Sequence, residues 1–116
     1  MALHESERIK TKLLALNIRL HELRMERERT QLHLVQLDRQ IEDTRLARLL
    51  GESQADPHAL DDEVKETRLR LESQEAVIRH VRKSQGETQV RYMLARRREQ
   101  IQANAEAGSA PDEASG

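Results

Sequence analysis

Gly51-Glu52-Ser53-Gln54-Ala55-Asp56-Pro57 interrupts two long runs of helical patterning close to the midpoint of the chain. Gly51 suits the left-handed conformation that closes a helix. Asp56 is a good acceptor for the free N–H groups of a helix start, and Pro57 is tolerated at a first helical position. One helix therefore ends here and another begins. The flanking segments are nearly equal in length, so folding back leaves neither arm unpaired. The stretch predicts a hairpin with helices over residues 3–50 and 57–106, joined by a turn at 51–56.

Outward from the turn, the first arm keeps a four-then-three spacing through Ile9, Leu13, Leu16, Leu20, Leu23, Arg27, Thr30, Leu34, Leu37, Ile41, Thr44 and Arg48. Such spacing holds one stripe on one side of a slightly underwound helix, and here it persists for more than about five heptads. The second arm repeats it through Leu60, Val64, Thr67, Leu71, Gln74, Ile78, Val81, Gln85, Thr88, Tyr92, Ala95 and Glu99. Folded about the turn, the seams match when paired residue numbers sum to about 108, and polar residues then face apolar ones. Arg27 faces Val81 and Thr30 faces Ile78. Gln74, Gln85 and Thr88 face Leu34, Leu23 and Leu20. The expected fold is an all-α, long antiparallel two-helix coiled-coil hairpin.

Composition agrees with a thin, seam-packed fold. The 116 residues include no Phe, no Trp and a single Tyr, so large core-filling side chains are nearly absent. Charged residues make up 35% of the chain, in keeping with a long helix or coiled coil. Twenty basic and 21 acidic residues nearly cancel, so no global field draws the chain to nucleic acid or anionic lipid. There is no cysteine, which removes disulfide and thiolate chemistry. The N-terminal residues lack the pattern of a signal peptide, and no apolar run is long enough to span a bilayer, so a cytoplasmic, non-membrane protein is expected. Gly86 weakens the second helix, and Ser84 with Glu87 offers a possible restart, but a continuous, locally bent helix is the expectation. Residues 107–116 are small, polar and acidic and read as a disordered tail.

The first helix carries a second apolar stripe away from the hairpin seam: Leu14, Ile18, Met25, Leu32, Val35, Leu46 and Leu49, interrupted by His21, Glu28, Arg39 and Glu42. One partner helix cannot cover both stripes. The expectation is a homodimer in which two hairpins form an elongated four-helix bundle, with a different helical protein as the rival occupant. The function expected on this reading is that of a noncatalytic adaptor or scaffold acting through protein–protein interaction.

Other residue clusters are less telling. Arg91, Arg96, Arg97 and Arg98 are an alternative site for anions or nucleic acid, but Tyr92 is the one aromatic side chain among them, with no series to stack bases, and acidic Glu5 and Glu7 are expected beside them. Glu52, Asp56, Asp61, Asp62 and Glu63 gather at the turn, where acidic residues complement a helix start. None of the five histidines lies three or four residues from another, so no metal site is expected. With no nucleophile motif and no phosphate loop, neither an enzyme nor a cofactor is expected.

In outline the acidic turn resembles the coiled-coil hairpin of the Gre-type transcription factors, without their second globular domain. The charge-rich hairpin as a whole is similar to the FliJ-like stalk proteins of type III secretion. That likeness implies, as an alternative function, a secretion stalk or chaperone component that pairs with an ATPase and export components.

Overall fold

A computed structural model describes the backbone of residues 4–115 and the side chains of residues 4–108. Two helices account for almost all of it: α1, Glu5–Leu49, and α2, Asp61–Ser115. The chain is an all-α helical hairpin with no strand among the described residues. Leu3, expected to be helical, lies outside them.

The turn is built as its residues suggest. Gly51 closes α1 with φ +72°. Its N–H bonds Arg48 O at 3.1 Å, and the Glu52 N–H reaches back to Ala47 O at 2.9 Å. This pair of bonds satisfies two carbonyls at the end of α1 and requires the left-handed residue that glycine provides. At the other side, Asp56 Oδ1 accepts from the His58 N–H at 2.9 Å. The second helix begins later than expected, however. Residues 57–60 form tight turns, with Ala59 N–H on Asp56 O and Asp61 N–H on His58 O. These are three-residue closures, narrower than an α-helix; the wider four-residue bond first appears from Val64 N–H to Leu60 O.

Cα packing divides the hairpin into two compact units. One comprises Leu20–His80 and contains the turn; the other joins α1 up to Arg19 with α2 from Val81 onward. In the turn unit Leu20, Leu23, Leu37, Val64 and Ile78 are buried, as are Thr30 and Thr67. Each threonine satisfies its hydroxyl within its own helix, Thr30 Oγ1 on Glu26 O at 3.1 Å and Thr67 Oγ1 on Glu63 O at 2.7 Å. Arg27 Nε and Gln74 Oε1 are buried with no hydrogen-bond partner among the described residues. In the terminal unit Leu13 and Ala95 are buried together with Ser6 and Thr88. All of these except Ser6 are seam positions of the sequence, and Ser6 extends the same spacing by one step. Arg48, the last expected seam residue of α1, is exposed, because the helix is already closing one turn later at Gly51.

The register differs from the expected one. A sum of about 108 would set Glu99 beside Ile9, Tyr92 beside Leu16 and Val64 beside Thr44. Instead, Glu99 Oε2 accepts from Ser6 Oγ at 2.6 Å. Gln85, expected opposite Leu23, hydrogen-bonds Asn17. Tyr92 shares a surface hollow with Lys10, and Val64 shares one with Ile41. Every displacement has the same direction: the α2 residue meets an α1 residue earlier in the chain. Sliding a heptad seam by one step keeps most apolar residues on it, so polar contacts along the seam and its flanks bear on the register.

α2 runs through Gly86 without interruption and continues to Ser115. The tail expected from residue 107 is therefore helical in its backbone to Ser115. The helix passes the expected stop at 106 although Gly108 and Pro111, poor helix formers, lie beyond it, and helix propensity does not account for this. Gly116 lies outside the described residues.

Candidate interaction surface

The α1 residues singled out as an interface are all exposed. In the turn unit, Met25 is 41% exposed, Leu32 58%, Val35 55%, Leu46 57% and Leu49 80%. In the terminal unit, Leu14 and Ile18 are more than half exposed. Their positions follow from the helix. The stripe repeats with four-then-three spacing just as the buried seam does, and at about 100° per residue the two stripes are centred about 150° apart on α1. α2 covers the first and leaves the second to solvent.

The terminal unit holds a clamp that the sequence did not reveal. Helix α1 begins with free N–H groups, and Ser6 supplies two donors to one carboxylate: its N–H on Glu99 Oε1 at 3.1 Å and its hydroxyl on Glu99 Oε2. The carboxylate of one helix thus caps the start of the other. The Ser6 hydroxyl, then the Ser6 N–H, hold the Glu99 carboxyl below its ordinary value. The nearby charges of His4 and Arg96 act in the same direction, and partial desolvation opposes them. His4 Nδ1 lies 3.9 Å from Glu99 Oε1. Only the seam spacing of Ser6, three residues before Ile9, hinted at this contact.

The arginine cluster stands in the same unit. Arg91, Arg96, Arg97 and Arg98 are exposed. Arg98 Nη2 lies 3.3 Å from Glu5 Oε2, which places acidic α1 residues beside the cluster as expected. Arg96 lines a shallow hollow with Ser6, Glu7, Lys10 and Tyr92. Around the turn, Glu63 Oε1 meets His33 Nε2 at 3.2 Å, joining the two helices, and Asp61 Oδ2 meets His58 Nδ1 at 3.1 Å. Two of the five acidic turn residues are thereby engaged by histidines, and Asp56 caps the chain entering α2. No group of three or more His, Asp or Glu side chains suited to a metal ion occurs among the described residues. No described helix is long and apolar enough to cross a membrane.

A smaller apolar patch on α2 escaped the sequence reading. Val90, Met93, Leu94 and Ile101 are each more than half exposed. Their spacing of three, four and eleven residues from Val90 is helical, and that was the available signal. The dense arginines between them masked it.

Comparison with known proteins finds no matching family model, no similar curated protein and no similar solved structure. The surface itself is therefore the guide to function.

Proposed function

We propose that the protein is a noncatalytic adaptor or scaffold that self-associates through the second apolar stripe of α1. One observation carries the reading: Leu14, Ile18, Met25, Leu32, Val35, Leu46 and Leu49 are exposed at regular heptad spacing on a helix whose other seam α2 already covers. Burying even five such side chains at about 1.5–3 kcal/mol each gives a driving force on the scale of a stable association. Two hairpins joined in this way form a homodimer of four helices, and its ends and flanks are the surfaces offered to other proteins. Acidic Glu5 beside Arg98 and the near balance of charge over the whole chain weigh against phosphate binding by the arginine cluster.

The test is the mass in solution. Ile18→Glu with Leu32→Glu should reduce a two-chain particle to one chain in light scattering while the helical circular dichroism stays nearly unchanged. An unaltered mass would remove the stripe as the contact surface.

A further inference from the structure

We infer that the second copy lies antiparallel on α1, about a twofold axis that crosses the helix between Leu32 and Val35. This rests on the self-association reading and adds to it the orientation and register of the pair. The argument comes from the centre of the stripe, within the turn unit, where four successive stripe positions are Glu28, Leu32, Val35 and Arg39.

The run has an acid at one end, a base at the other and two apolar residues between. In an antiparallel pair it is its own complement. Glu28 faces Arg39 of the second copy, Leu32 faces Val35, and the symmetry makes each contact twice. A parallel pair sets Glu28 against Glu28 and Arg39 against Arg39. Like charges at both of these layers disfavour that orientation.

The hairpin alone does not use these charges. Glu28 and Arg39 are exposed and make no ion pair among the described residues. They stand roughly 16 Å apart along their own helix, too far to reach each other. Glu42 is bridged by Arg45 Nη1 at 2.9 Å, so its charge is already balanced where the antiparallel register lays its stem against Met25. Continued along α1, that register sets Ile18 against Leu49, which removes the most exposed large apolar residue of the stripe from water. Because the stripe is centred far round the helix from the α2 seam, the second copy docks without displacing α2. The two α1 helices lie at the middle of the assembly and the two α2 helices on the outside.

The chain contains no cysteine, so single-cysteine variants of the full protein take a spin label at one defined place. Gln36→Cys and Ala15→Cys both sit beside the stripe without replacing any of its members. In the antiparallel dimer the Gln36 labels lie within about 25 Å of each other, while the Ala15 labels are separated by about 55 Å along the axis. Short distances at both positions mean a parallel pair: the orientation is then overturned and self-association stands. Long distances at both mean pairing through another surface or an opened turn, which overturns the inference as well. A one-chain mass at all concentrations overturns both readings.

Charge exchange supplies an independent readout. Glu28→Arg alone and Arg39→Glu alone should each weaken the dimer by at least about tenfold, since symmetry applies each change twice. The double exchange should restore it. Additive weakening in the double variant would overturn the pairing of these residues.

Discussion

At the scale of single residues, the Ser6–Glu99 clamp makes stability depend on pH. The folded state holds Glu99 below its ordinary value of 4.5. A group with a lowered folded value contributes fully above its unfolded value and loses that contribution as pH falls through the lowered one. Protection of the Ser6 amide against hydrogen exchange should therefore be steady from pH 7 to about 5 and fall below about 4.5. Glu99→Gln should reduce it across the whole range and abolish the pH step. A step that survives in this variant would assign it to another group. Gly51 in the turn and Gly86 inside α2 make a second residue-scale contrast. Neither would bring a new Cβ within 4 Å of another atom, so backbone conformation alone separates them. Gly51 has φ +72°, and Gly51→Ala should cost about 1 kcal/mol in denaturant melts. Gly86 lies inside α2, where Gly86→Ala should add about 0.5–1 kcal/mol.

At the scale of the elements, the hairpin seam is a compromise between stability and register. Leu13, Leu20, Leu23 and Leu37 are among its buried apolar residues, at about 1.5–3 kcal/mol each. Arg27 and Gln74 detract from it, since each buries a polar atom without a partner. Gln74→Leu should therefore stabilise the hairpin by about 1 kcal/mol in thermal or denaturant unfolding. The same change should permit register slippage, seen as broadened amide resonances near Ser6 and Glu99, because polar seam residues raise the cost of wrong pairings. A loss of stability would show that Gln74 has a partner in solution. The turn divides its work between two kinds of residue. Gly51 ends α1 by its backbone freedom, whereas Asp56 and Pro57 start the chain toward α2 through tight turns that defer the helix to Asp61.

At the scale of the whole molecule, α1 carries two apolar stripes, and among the described residues α2 covers one of them. A two-helix fold has little apolar burial of its own, so the proposed self-association should contribute a measurable part of its stability. The melting temperature should rise with protein concentration over the micromolar range. It should become independent of concentration in the Ile18→Glu, Leu32→Glu variant, where a persistent dependence would point to the Val90–Ile101 patch of α2 as the contact instead.

The sequence by itself determined the two helices, the turn and the faces. Every expected seam position of α1 from Ile9 to Thr44 is buried or half-buried, and every expected second-stripe residue is exposed. Periodicity and turn chemistry are local properties, and each residue carries its share of them whatever the other arm does. Only the tertiary structure decided the register, the delayed start of α2 and the clamp at the start of α1. A heptad seam looks the same after sliding one step, so apolar burial is nearly indifferent to register. The choice falls to isolated polar contacts, Ser6 with Glu99, Asn17 with Gln85 and His33 with Glu63, between residues that stand far apart in the chain and meet only once the helices are laid together.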